Sequence, residues 1–187
     1  MRFHGTVLLL AALPISIATH SQSAPPSPAA VAMHRIVNQF AGTWSITDQG
    51  PDGQIVRGEE TWRANASGVP LIEEYHAKSA TGEDLFDVAM IWWDAVGKKY
   101  HGRWCADFVD EGCTSFGVSW SDTLVEMSGA YTQAGKPLTW TERFVFDGPS
   151  SFTQTLSVGE RGGRKKLVST ILATRQKADA DGARPPH

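Results

Sequence analysis

Turn signals recur along this chain at nearly even intervals, and that spacing limits what it can become. Clusters built on Gly, Asp, Asn, Ser or Pro fall at 52–53, 65–68, 81–82, 95–97, 110–112, 121–122, 134–135, 147–150 and 159–163. The nine signals separate ten short segments rich in apolar and β-branched residues. Such spacing marks an antiparallel sandwich or barrel. No interval is long enough for a crossover helix, so consecutive strands should meander. An open meander leaves two exposed edges, whereas closure removes them. The expectation is an all-β fold, a closed antiparallel up-and-down barrel of about ten strands.

Ahead of the first strand, VAMHRIVNQF carries Val31, Ile36, Val37 and Phe40 at helical spacing, which predicts one short helix. Residues 1–23 read as an export signal. Arg2 and His4 form a basic start, residues 7–18 are an apolar run too short to span a bilayer stably, and Ser21-Gln22-Ser23 offers a small-x-small cleavage site. An uncleaved anchor is the alternative. Residues 24–30, APPSPAA, read as a Pro-rich linker that forms no helix, and residues 177–187 as a disordered tail. Residues 31–176 remain as one barrel domain. The expected location is periplasmic or secreted. A net charge of -3 with no basic stripe argues against nucleic acid. The one basic cluster, 161–166, reads as a hairpin tip. A membrane barrel would turn His101, Arg103, Thr139 and Arg143 toward lipid, so no integral membrane insertion is expected. A monomer or weak dimer is expected.

The chain has two cysteines, Cys105 and Cys113. WCADFVDEGC reads as strand, tight turn and strand. A hairpin centred near Val109 places the two opposite each other, with α-carbons roughly 4.5–5.5 Å apart. In an exported protein this predicts a disulfide; the alternative is two unrelated buried thiols.

Strand alternation sorts the segments into faces. The inward sets are Val56, Gly58, Glu60, Trp62 and Ala64; Leu71, Glu73, Tyr75 and Ala77; Tyr100, Gly102, Trp104, Ala106 and Phe108; Leu138, Trp140, Glu142, Phe144 and Phe146; and Phe152, Gln154, Leu156 and Val158. Glu60, Glu73, Tyr75, Glu142 and Gln154 thus fall among aromatic walls that include Trp62, Trp104 and Trp140. A carboxylate on an apolar face is costly without a partner or water. Two readings follow. Each Glu pairs with an inward Arg or lies at a wet mouth; or these groups orient a ligand in a cavity. The seven tryptophans serve either as barrel filler or as a stacking box.

FAGTW at 40–44, the VPLIEEY strand and IWWDAVGKKYHGRWCADF resemble a bacterial secreted lipocalin-like (calycin-type) family of unknown function. In that family a helix ending in Phe-x-Gly-x-Trp precedes about ten strands. Its Tyr-Asp pair is replaced here by Trp93-Asp94, with Tyr100 at the following Tyr position. The resemblance spans Ile36 to about Arg175 and implies a lipocalin or fatty-acid-binding-protein-like fold, without a reaction. It also implies that Gly42 lets the backbone pass beneath the barrel, that Trp44 fills the floor, and that Arg175 at the end of LVSTILATR lies across Trp44. The alternative is that Arg175 opens the tail. Some related small barrels bind haem through a histidine, but alternation places His76 outside and no matching motif accompanies it.

No Gly-x-Ser-x-Gly, His-Glu-x-x-His or phosphate-binding Gly loop is present. His101 and Cys105 share a strand face but stand about 13 Å apart, too far to hold one metal together. Neither a metal nor a cofactor is expected. Three functions stay open: a binding module for a small apolar or amphipathic ligand, an enzyme using Glu73 or Glu142 as acid or base with Tyr75 as donor, and a solid-packed structural or partner-binding barrel. The first is the primary expectation.

Overall fold

The computed structural model describes residues 25–79, 81–121 and 123–177. Residues 1–23, read as an export signal, lie outside the described residues, as do residues 178–187 of the expected tail. One helix, α1 (Pro28–Phe40), leads into ten strands: β1 (Gly42–Gln49), β2 (Ile55–Ala64), β3 (Leu71–Lys78), β4 (Asp84–Asp94), β5 (Lys99–Ala106), β6 (Cys113–Trp120), β7 (Leu124–Gln133), β8 (Lys136–Phe146), β9 (Ser151–Glu160) and β10 (Lys166–Arg175). Each strand pairs antiparallel with its neighbours in sequence, and β10 closes on β1. The sheet therefore has no free edge, as the turn spacing predicts.

The helix begins at Pro28, inside the segment read as a linker. Proline at the first helical position gives up only an N–H that has no intrahelical partner there. Ser27 caps the turn, its hydroxyl accepting from the Ala30 N–H at 3.1 Å. The reading of 24–30 as non-helical weighed the prolines without their position.

α1 plugs one end. Met33, Ile36 and Phe40 are fully buried. The Phe40 ring stands 4.5 Å from Trp62, 5.2 Å from Phe144 and 5.0 Å from Phe146. Tyr100 donates its hydroxyl to the Ala32 carbonyl at 2.8 Å, tying β5 to the helix. Gly42 follows with φ +133, and a Cβ there would stand 2.6 Å from Arg175 Nη1. Only glycine fits both constraints. The Arg175 guanidinium carbon lies 4.1 Å from the centre of the Trp44 ring. Arg175 thus joins the last strand to the first.

At the other end, Cys105 and Cys113 face each other across β5 and β6 and form a disulfide. The bridge pins the 107–112 turn, whose Val109 is buried. Asp110 adds a second anchor, accepting from the Ala134 and Gly135 N–H groups at 3.1 and 2.8 Å. A bridge closing so short a loop contributes about 2–3 kcal/mol. Replacing both cysteines by serine is expected to lower Tm by roughly 5–10 °C in a domain of this size. Peptide mapping without reductant should return one 105–113 cross-link; two alkylatable thiols in native exported protein would contradict it.

Candidate functional site

Between the plugged floor and the disulfide-bearing rim lies a cavity of about 260 Å³. The barrel is therefore not packed solid. Leu85, Phe86 and Phe108 line it and are also exposed, so it reaches solvent between the start of β4 and the 107–112 turn. Phe108 is held edge-on against Trp104 at 5.4 Å and Tyr131 at 6.5 Å, which makes that side of the mouth aromatic.

The structure brings Glu60, Trp62, Glu73, Tyr75, Trp104, Trp140, Glu142 and Gln154 around this one space. They come from β2, β3, β5, β8 and β9, each from the face that alternation assigns inward. Trp62, Trp104 and Trp140 are wall residues, whereas Trp44 lies at the floor. Trp92 stacks on His101 at 5.8 Å, away from the cavity lining. His76 is exposed beside Phe86.

Three acids that line the cavity were not among the sequence candidates: Asp87 on β4, Asp48 on β1 and Asp107 in the turn after β5. DLFDVAMIWWD is apolar on both parities, so alternation alone does not choose its inner face. Its register does, because Asp87 stands opposite Tyr75 and Ala89 opposite Glu73. On β1 the signal was available: Trp44 and Ile46 are buried, and the same parity continues to Asp48. Asp48 accepts from the Ser169 hydroxyl at 2.5 Å. Ser169 is turned inward just after a register shift between Leu167 and Ser169 on β10, an irregularity that re-aims side chains.

The acids have no cationic partner. Among the described residues, no Lys, Arg or His lines the cavity. This overturns the reading in which each inward Glu meets an inward Arg. The basic side chains of the same strands point outward instead, where Arg63 pairs with Glu74 and Arg143 with Glu126. What the inner acids receive is uncharged donors. Trp62 donates its indole N–H to Glu60, Trp104 donates to Asp87, Ala89 N–H donates to Glu73, and Gln154 Nε2 donates to Glu142 at 2.5 Å.

Burial without a countercharge favours the neutral acid. Desolvation pushes Glu60 up to about 8, with its indole bond working against the shift and the neighbouring Glu142 and Asp87 adding to it. Desolvation raises Asp87 and Glu142 to about 7 each. Glu73 is raised well above the usual carboxylate range, first by desolvation and then by the surrounding acids. Tyr75 is raised as well, chiefly by burial, and stays a neutral donor. At neutral pH the cluster holds protons that ordinary carboxylates would have lost.

Three polar atoms of this wall are buried without a partner: Glu60 Oε2, on a residue 2% exposed, Gln154 Oε1, on a residue 7% exposed, and the Trp140 indole N–H. Buried polar atoms are nearly always paired, so each is an opening for a ligand or water.

No family model matches the chain, and no curated protein matches it. Among solved structures, Rv2717c from M. tuberculosis matches with a TM-score of 0.52 at 12% identity, over 82% of this chain and 100% of that one. The S-type phycobiliprotein lyase CPES from Guillardia theta matches with a TM-score of 0.49 at 11% identity, over 78% of this chain and 93% of that one. A redesigned β barrel, mFAP1, bound to DFHBI, matches with a TM-score of 0.45 at 16% identity, over 75% and 99%. The likeness to Rv2717c is one of fold alone.

Proposed function

We propose that this chain is an exported binding barrel that takes one small amphipathic molecule into its cavity. The observation that carries this is an aromatic-walled space that opens at one end and holds unpartnered buried polar atoms. A barrel has no structural need for such a space, and a few polar groups in an apolar wall are how ligand sites orient their contents. Barrels of about this strand number have room for one small ligand. The disulfide fits an oxidising compartment outside the cytosol, which supports export. No helix among the described residues is long and apolar enough to cross a membrane.

Native mass spectrometry of protein exported from its own host is expected to show an added mass that survives gentle desolvation. Ligand-stripped protein should bind the uncharged fluorophore N-phenyl-1-naphthylamine at one per barrel. Ala89 lines the cavity and is nearly buried, so Ala89→Trp places an indole in the space. This variant is expected to lower dye affinity at least tenfold while thermal unfolding stays cooperative. Dye binding that is unchanged by Ala89→Trp would overturn the reading.

A further inference from the structure

We propose that the molecule this cavity takes is an organic cation: a protonated amine or quaternary ammonium on an apolar body. The charged head sits among Glu60, Asp87 and Glu142, and the body lies against Trp104 and Trp140. This rests on the binding reading above and narrows it to one ligand chemistry.

The charge pattern is the first argument. The wall carries Asp48, Glu60, Glu73, Asp87 and Glu142, with Asp107 at the mouth, and among the described residues no basic side chain lines the cavity. Glu60, Asp87 and Glu142 are near enough to raise one another's affinity for protons. An anionic ligand would add another negative charge to this set in a low-dielectric space, where like charges are most costly. A cation would relieve it.

Hydrogen-bond capacity gives the second argument. Four donors of the wall are engaged on its acids: Trp62 on Glu60, Trp104 on Asp87, Gln154 on Glu142 and Ser169 on Asp48. The Trp140 Nε1 lies beside Gly129, where a Cβ would stand 2.9 Å from it, and is buried without a partner. Two side-chain oxygens of the wall are open, Glu60 Oε2 and Gln154 Oε1, both on residues more than nine-tenths buried. Gln154 Oε1 takes a donor at any pH and Glu60 Oε2 does once Glu60 is ionised, and an ammonium donates without accepting. The aromatic walls offer ring faces, which attract cations electrostatically.

Proton exchange follows from the same set. The titratable groups facing this position are Asp48 from β1, Glu60 from β2, and Glu73 and Tyr75 from β3. Asp87 from β4, Tyr131 from β7, Glu142 from β8 and Asp107 from the rim complete them. An arriving ammonium replaces a proton held by the carboxyl cluster, and that proton leaves to solvent. Affinity for a cation should therefore rise with pH across the range in which the cluster ionises, while affinity for an uncharged analogue should not.

The test is a matched set of 3-phenylpropylammonium, 3-phenylpropanol and 3-phenylpropanoate, titrated calorimetrically into ligand-stripped full-length exported protein at pH 6.0, 7.0 and 8.0. Two buffers of different ionisation heat report protons released. The ammonium is expected to bind at least tenfold tighter than the alcohol at pH 7.0. Its affinity should climb at least threefold between pH 6.0 and 8.0 with release of a fraction of a proton, and the carboxylate should bind weakest. Glu142→Gln should erase most of the ammonium preference and spare alcohol binding. If the alcohol and N-phenyl-1-naphthylamine bind but the ammonium gains nothing, the cation inference falls and the binding barrel stands. A carboxylate that binds tightest also overturns it. If neither the dye nor any member of the set binds, both readings fall. The wild-type comparison decides the matter even where Glu142→Gln does not fold.

Discussion

Trp44→Ala is expected to be among the most destabilising single substitutions in this barrel. Trp44 is fully buried, packs 4.7 Å from Phe152, and donates its indole N–H to the Phe40 carbonyl at 2.8 Å. Truncating a buried aromatic to alanine costs about 3–5 kcal/mol, and here it also frees the last carbonyl of α1. A Tm loss of roughly 10–15 °C is expected for a domain of this length. Arg175→Ala should cost about 2–3 kcal/mol. The guanidinium donates to the carbonyls of Ala41, Gln39 and Pro149, so it caps the helix end and holds the β8–β9 turn at once. Arg175→Lys keeps the charge but cannot reach three carbonyls while lying flat on the indole, and it should lose most of the same stability. The double variant Trp44→Ala/Arg175→Ala should be less damaged than the sum of its parts by about 0.5–2 kcal/mol, the range for a cation over an aromatic ring. Chemical denaturation of the four proteins measures each quantity. An Arg175→Ala variant within about 0.5 kcal/mol of wild type, the range of ordinary surface substitutions, would show that the floor closes without it.

The floor was legible because its parts are local or forced by closure. FAGTW puts the plug, the tight backbone and the large filler within five residues. In a closed meander of even strand number, the last strand ends where the first begins, which brings Arg175 to Trp44. The cavity was legible wherever a strand keeps its polar and apolar residues on opposite faces. That holds for β8, where Trp140, Glu142 and Phe144 line the cavity and Arg143 is exposed. It fails for β4, whose outer residues Val88, Met90 and Trp92 are as apolar as its inner ones. Asp87 could be placed only through its register with β3. The start of α1 was missed for a different reason: proline excludes a helix interior but favours its first turn. The absence of inward cations was hidden because strand parity locates a charge without naming its partner across the barrel. Glu60 and Glu142 lie on β2 and β8, which are not hydrogen-bonded neighbours, so no sequence interval relates them.

Glu60→Gln is expected to stabilise the protein at alkaline pH and to flatten its dependence of stability on pH. Glu60 holds its proton up to about 8 in the folded chain, against an ordinary carboxyl value in the unfolded one. A group whose folded pKa is raised favours the fold fully below its unfolded pKa, and the benefit is lost as pH rises through the folded value. Asp87 and Glu142, raised to about 7, act in the same direction. Wild-type stability should therefore decline between about pH 4.5 and pH 8. The surface acids Glu74 and Asp84, lowered by Arg63 and Lys78, act oppositely: their contribution is present above the unfolded pKa and is lost on acidification. Maximum stability should thus lie near pH 5. Glutamine keeps an oxygen for the Trp62 N–H, and its amide presents donors toward Asp87 and Glu142 where the acid presented a second charge. The gain at pH 8.5 is of order 2–4 kcal/mol, or roughly 5–12 °C in Tm, and it should nearly vanish at pH 5.5. Thermal unfolding of both proteins at the two pH values checks this. A wild-type Tm that rises from pH 5.5 to 8.5, or an equal slope in the variant, would contradict it. The same substitution removes one of the carboxyls proposed to receive the cation, so a variant that is more stable at pH 8.5 should also discriminate less between 3-phenylpropylammonium and 3-phenylpropanol. Stability lost to an unpaired buried acid is what a site held ready for a positive ligand requires, and the two measurements should move in opposite directions.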